Sequence, residues 1–204
     1  NGTILHYDGT GWSAQESGTT FGLWDAWGSS ATDVYAVGGS IFHYDGTGWS
    51  EVSDYGPIGI NGVWGSSATD VFFVCNNGRI LHYDGTAWTE QESGTTTRLR
   101  DAWGSSATDV FAVGDNGTIL HYDGTGWSEQ YSGTTEKLND VWGSSATDVF
   151  AVGENGTILH YDGTSWRAQE SGTISPLLGV WGSSATDVFA VGNIYPRAVL
   201  HYGT

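Results

Sequence analysis

The heptapeptide Trp-Gly-Ser-Ser-Ala-Thr-Asp occurs five times in this chain, beginning at Trp27, Trp64, Trp103, Trp142 and Trp181, at spacings of 37, 39, 39 and 39 residues. Self-similarity at such a period marks a repeat architecture, in which each copy is one supersecondary unit that cannot bury its apolar face alone. The copies must therefore stack on one another. Every other motif is best read by its place within the repeat.

The copy that starts at Leu138 parses into four short strands. Strand a covers 138–142, b 148–152, c 157–161 and d 166–170, joined by turns at 143–147, 154–156 and 162–164. Asn-Gly supplies the positive φ angles of a tight hairpin, which makes 116–117 and 155–156 turn positions. Eleven Trp, ten Tyr and seven Phe with 32 Gly and no Met describe a β-rich, turn-rich chain. Helical i, i+3, i+4 patterning is absent. A single sheet of four short strands leaves both faces open, and radial packing of such sheets closes them, which is the β-propeller. A linear β-solenoid would need shorter turns and parallel strands.

The expected fold is therefore all-β: a five-bladed β-propeller of four-stranded antiparallel blades, one domain over 1–204, with the ring closed by pairing N- and C-terminal strands in one blade. The repeats lie at 22–53, 60–92, 99–131 and 138–170, and the closing blade is built from 1–17 plus 177–202. One strand c is surplus, because 3–7 and 198–202 both suit the last slot. The N-terminal one is expected there, since the C-terminal copy has a lengthened loop with Pro196 and ends His201-Tyr202-Gly203 without the usual Asp. The surplus strand is then displaced or pairs with another molecule, as unpaired edges invite. A monomer with a route to oligomers is the corresponding expectation.

The strings Glu170-Ser171-Gly172-Thr173 and Val191-Gly192, with Val152-Gly153-Glu154-Asn155-Gly156-Thr157-Ile158-Leu159-His160, Asp162-Gly163 and Trp166, resemble Asp-box propellers of the photosystem II assembly factor type. The resemblance spans every repeat. It departs in the turn, where Tyr161-Asp162-Gly163-Thr164-Ser165-Trp166 holds one residue fewer between Asp and Trp than the Asp-box pattern. In those families the box is a structural turn, so the likeness implies a fold rather than an activity. Five-bladed tachylectin-like lectins are similar in architecture only, with none of their sugar-binding motif present.

Strands alternate in direction, so d-to-a connections and b–c hairpins share one face, and a–b and c–d turns share the other. Differences between copies concentrate on the first face, in segments 19–24, 54–61, 95–100, 134–139 and 173–178 and in hairpins of unequal length. Five of the six basic residues fall there: Arg98, Arg100 and Lys137 in connections, Arg79 and Arg197 at hairpins. The other face is uniform and acidic, with two Asp per blade. Loops on a rigid scaffold carry binding, so the candidate binding residues are Trp24, Tyr55, Asn61, Arg98, Arg100, Lys137, Asn139, Tyr195 and Arg197. Neutral drift in loops is the competing explanation.

A formal charge of −17 argues against nucleic-acid and anionic-membrane partners. No apolar run reaches the roughly 20 residues of a membrane span. The chain begins at Asn1 without a signal sequence, which suits a processed form, a fragment or an engineered chain. Its compartment stays open, with secreted or cell-surface location one option. His6, His43, His82, His121, His160 and His201 share one position in strand c, and neighbouring blades hold them more than about 10 Å apart. A hydrogen-bonded His between blades is expected rather than a metal ligand, and no metal or cofactor is expected elsewhere. The paired Asp lack a calcium-loop pattern and read as turn caps. The two Trp series, from Trp27 and from Trp12, read as blade-to-blade packing, with some of the second set free to stack on sugars. Asn1, Asn116 and Asn155 begin glycosylation sequons, yet the hairpin requires Asn-Gly in any case. Cys75 is single and has no His beside it in the repeat, and no nucleophile–base cluster stands out.

The expectation for function is a non-enzymatic recognition module. Multivalent glycan binding at equivalent shallow sites is the leading reading, and a protein-interaction scaffold using the variable face is the alternative. A recently amplified or designed propeller with no evolved ligand is the third.

Overall fold

The computed structural model describes residues 2–52, 59–193 and 199–203. Four sheets of four antiparallel strands are formed by the internal repeats. The first runs β3 (Leu23–Ser30), β4 (Asp33–Gly38), β5 (Ile41–Tyr44), β6 (Trp49–Glu51). The second is β7 (Ile60–Ser67), β8 (Asp70–Cys75), β9 (Ile80–Tyr83), β10 (Trp88–Gln91). The third is β11 (Leu99–Ser106), β12 (Asp109–Gly114), β13 (Ile119–Tyr122), β14 (Trp127–Gln130). The fourth is β15 (Leu138–Ser145), β16 (Asp148–Gly153), β17 (Ile158–Tyr161), β18 (Trp166–Gln169). The chain ends supply the rest of the expected terminal blade: β19 (Leu177–Ser184), β20 (Asp187–Gly192) and β21 (Val199–Gly203) at one end, and the hairpin β1 (Ile4–Tyr7), β2 (Trp12–Gln15) at the other. This is the all-β, five-bladed propeller that the repeats predict.

Strand b of the second, third and fourth blades reads as a continuous apolar run because both its faces are buried. In β12, Val110 and Ala112 join the layer shared with the second blade, while Phe111 and Val113 join the layer shared with the fourth. Four such layers fill the spaces between successive blades. Each fully buried Phe or Leu contributes about 1.5–3 kcal/mol. The propeller core is thus a series of thin interblade layers.

One contact recurs at every internal junction. The ring of Trp27 lies over Gly65, Trp64 over Gly104, Trp103 over Gly143 and Trp142 over Gly182, so close that a Cβ on any of these glycines would stand 2.6–2.7 Å from the ring. The second Trp series also packs between blades, with Trp127 edge-on to Phe72 at 5.9 Å and Trp166 edge-on to Phe111 at 5.7 Å. Trp127 Nε1 donates to Gln91 of the preceding blade at 2.6 Å, and Trp49 Nε1 to Gln15 at 3.3 Å. The packing role expected for both series holds at these junctions.

Three details differ from the sequence reading. Strand a runs three residues further, to Ser145 in the fourth blade, because Gly143 is the seat of a Trp ring rather than a turn residue; only Ala146 and Thr147 turn the chain. The repeated His bonds within its own blade, not between blades. His43, His82, His121, His160 and His201 each place Nε2 2.6–2.7 Å from the Asp that opens strand b. His121 stacks on Phe111 at 4.4 Å, which holds the ring in that register. Finally, β21 rather than the N-terminal strand occupies the slot beside β20, and β1 pairs with β2 alone among the described residues. A short connection makes β20–β21 cheap to close, whereas pairing β1 with β20 closes a loop spanning nearly the whole chain.

The interblade contact yields a direct test. Gly143→Ala places a methyl inside the Trp103 ring and should cost about 1–3 kcal/mol by overpacking, lowering the melting midpoint by several degrees. Gly126→Ala, where a Cβ meets nothing within 4 Å, should leave the midpoint unchanged. Thermal unfolding followed by circular dichroism compares the two.

Candidate recognition face

The two faces inferred from strand direction are both present. On the uniform face, the a–b turn touches the c–d turn of the same blade, with Thr108 against Gly124 and Thr147 against Gly163. Asp123 Oδ1 there accepts from the Thr125 amide (2.9 Å), the Thr125 hydroxyl (2.6 Å) and the Gly126 amide (3.2 Å). Asp8, Asp45, Asp84 and Asp162 make the same cap and are lowered to about 2 by bonds to Thr side chains and turn amides. The other Asp of each blade is not a turn cap. Asp70 receives the Ser66 hydroxyl at 2.5 Å on one oxygen and faces His82 on the other.

On the variable face each strand a opens with a β-bulge. The register of β11 on β12 skips from Leu99 to Asp101, that of β15 on β16 from Leu138 to Asp140, and the other three blades skip at the same place. The residues set aside are Trp24, Asn61, Arg100, Asn139 and Leu178. Bulges of this kind re-aim a side chain and cluster beside functional sites. The preceding residue in four blades, Ile60, Leu99, Leu138 and Leu177, is fully buried and anchors the bulge, while Leu23 in the first blade is half-buried. One register position thus presents four different side chains, with Asn used twice, from five adjacent inner strands.

Hairpins b–c dock beside these bulges. The amides of Asp115 and Glu154 donate to the carbonyls of Arg98 and Lys137, at 3.0 and 2.9 Å. The turn itself has Asn77, Asn116 and Asn155 at φ of 58°, 57° and 52°, followed by Gly at positive φ, as the Asn-Gly pairs predict. Docking brings each hairpin's first side chain to the bulge. Arg100 Nε meets Asp115 at 2.5 Å, Lys137 Nζ meets Glu154 at 2.6 Å, and Asn61 Nδ2 donates to Asn76 at 3.2 Å. Arg98 Nη2 donates to Asn61 Oδ1 at 2.6 Å. Asn61 and Asn139 also reach the next blade, donating to Leu99 O and Leu177 O at 2.7 Å.

Six of the nine candidate residues fall at one end of the inner strands, Trp24, Asn61, Arg100 and Asn139 at the bulges and Arg98 and Lys137 in the connections just before them. Tyr55, Tyr195 and Arg197 lie outside the described residues. The sequence reading passed over Leu178, which completes the bulge series, and the hairpin residues Asn76, Asp115 and Glu154. Counting back three positions from the repeated Trp finds all five bulge residues. Trp24 is 71% exposed and Leu178 48% exposed, unusual for apolar side chains.

Just inside the bulges lie Asp25, Gly62, Asp101, Asp140 and Gly179, one per blade. Asp25 accepts from the Val63 amide, Asp101 from Val141 and Asp140 from Val180, so the carboxylates tie an inner strand to the next at three of the four junctions. Burial pushes Asp101 well above the usual carboxylate range, helped by a hydrogen bond to Asp140 and by the charges of Asp140 and Asp25. Burial also raises Asp25. Cys75 is buried and its thiol is pushed up to about 12, which leaves it unreactive.

No family model matches the sequence, and no curated protein matches it. The fold is that of the β-propeller class. Among solved structures it is similar to YCF48 bound to D1 peptide, with a TM-score of 0.74 and 14% identity over 99% of this chain and 72% of that one. YCF48 from Cyanidioschyzon merolae is similar to the same degree, with a TM-score of 0.74 and 14% identity over 98% of this chain and 76% of that one. The WD40 β-propeller domain of Doa1 gives 0.71 and 11%, over 85% of this chain and 63% of that one. At these identities the likeness establishes the fold. It agrees in architecture with the resemblance to propellers of the photosystem II assembly factor type.

The buried carboxylates set a pH dependence. A folded-state pKa raised above the unfolded value of about 3.9 adds stability that is complete below the unfolded value and is lost as pH rises through the folded one. Asp101→Asn keeps a donor for Asp140 without a charge. Its melting midpoint should exceed that of the wild type at pH 7 and fall less steeply between pH 4 and 7. Calorimetry across that range measures both.

Proposed function

We propose that this chain is a non-catalytic protein-recognition module that binds a peptide segment or loop of a partner on the bulge face. The observation that carries this reading is the series of five bulge residues, of four side-chain types, on an otherwise uniform scaffold. Repeated groups that would build equivalent glycan sites are already engaged. The capping Asp and Thr bond to one another, the second Asp holds Ser and His, and the internal Trp rings are packed between blades. Among the unequal groups, Trp24 and Leu178 stand exposed beside amides and cations that are held by the hairpins and the next blade. That mixture suits a protein partner, since Trp and Arg dominate binding hot spots. A solved propeller of similar fold carries a peptide, as the YCF48 complex with D1 peptide is described, which supports the peptide class without identifying a ligand.

Selection of binders from a random peptide display library tests the proposal. Peptides are expected whose affinity falls at least tenfold with Trp24→Ala or Arg100→Ala and is unchanged by Thr47→Ala on the uniform face. Binding confined to a glycan array, with no peptide selected, would overturn it.

A further inference from the structure

We propose that β1 and β21 are interchangeable occupants of one slot beside β20, so that the N-terminal hairpin can displace β21, complete the fifth blade and close the ring. The two strands carry nearly the same sequence. β1 is Ile-Leu-His-Tyr, identical to β9, β13 and β17, and β21 opens Val-Leu-His-Tyr. Every internal strand c pairs with strand b on one edge and strand d on the other. Among the described residues β1 has only its strand d, and β21 has only its strand b. Each holds half of what the slot requires, and β19-β20-β1-β2 would be a complete blade.

The surfaces on either side of the gap show what closure would bury. Gly65, Gly104, Gly143 and Gly182 are buried under a Trp ring, whereas Gly28 is exposed and its nearest neighbours belong to its own sheet. Trp181, which opens the last copy of the heptapeptide, is 61% exposed. Trp181 and Gly28 are thus the unmatched halves of the contact that joins all other blades. Leu5 is likewise 56% exposed, while its equivalents Leu81, Leu120 and Leu159 are at most 1% exposed. A cavity of about 550 Å³ lies between the N-terminal hairpin and the first blade, lined by Ile4, Leu5, Trp24, Ala26, Val34 and Ala36. Strands a and b of a preceding blade would occupy that space.

The exchange is conservative. β21 sets His201 against Phe189 and Leu200 against Ala190. β1 in the same register would set His6 against Phe189 and Leu5 against Ala190, and bring His6 to Asp187 in place of His201. The hydrogen bonds are replaced one for one, and the apolar seam is buried in addition. Since both strands belong to one chain, their competition is governed by an intramolecular effective concentration rather than by protein concentration.

Disulfide trapping in the full chain tests this, and the buried, unreactive Cys75 does not interfere. Ala190→Cys combined with Leu200→Cys should cross-link β21, and Ala190→Cys combined with Leu5→Cys should cross-link β1, both within a single chain by mass spectrometry. Adding Leu200→Asp to the second pair weakens β21 and should raise its yield several-fold, while Trp emission becomes less accessible to acrylamide. Absence of the 5–190 cross-link in both backgrounds, with 190–200 still formed, overturns the proposal. So does a 5–190 cross-link found only between two chains, or loss of cooperative unfolding with Leu200→Asp alone.

Discussion

The contact between a Trp ring and a glycine of the following blade organises this molecule. Trp and Gly are adjacent in the repeated heptapeptide, so every copy is both ring and seat: Trp64 covers Gly104 while Gly65 lies under Trp27. A side chain at the glycine would hold the blades apart, and a smaller residue at the Trp would leave a void between them. The remaining repeated residues serve this stacking. Ser66, Asp70 and His82 lock the a–b turn to strand c, and Asp123 with its equivalents fixes the c–d turn. The arrangement explains why the copies are uniform where they are.

The same contact defines what is incomplete. Trp181 and Gly28 are its two unmatched halves, one on the last blade and one on the first. The last blade is also where two strands of almost one sequence compete for one position. The stacking rule and the strand surplus are therefore a single structural fact.

Much of this was legible in the sequence. The period gave the blades, Asn-Gly gave the hairpins, and strand alternation gave the two faces. What stayed hidden depended on neighbours that the repeat does not name. Gly143 reads as a turn residue until the Trp103 ring of another blade is seen above it. His121 could bond on either side of its strand, and only the register of β13 on β12 brings Asp109 to it. The bulge at Arg100 leaves no mark in composition, because the skipped residue is not held constant between blades. Leu178 was passed over for that reason, being an apolar residue in a series whose other members are amides, a cation and a Trp. The choice between β1 and β21 turned on loop length, which hydrophobic pattern does not encode.

Repeated residues form the scaffold, and unequal ones form the proposed recognition surface. Replacing Trp24, Arg100 and Leu178 with Asn, so that all five bulges carry the amide already present at Asn61 and Asn139, tells the two apart. The decisive measurement is the affinity of a display-selected peptide for this chain, with its melting midpoint as control. An unchanged or higher midpoint is expected, because Asn at this position spans to the next blade, together with loss of peptide binding. Retained affinity at an unchanged midpoint would rule out recognition by the bulge residues.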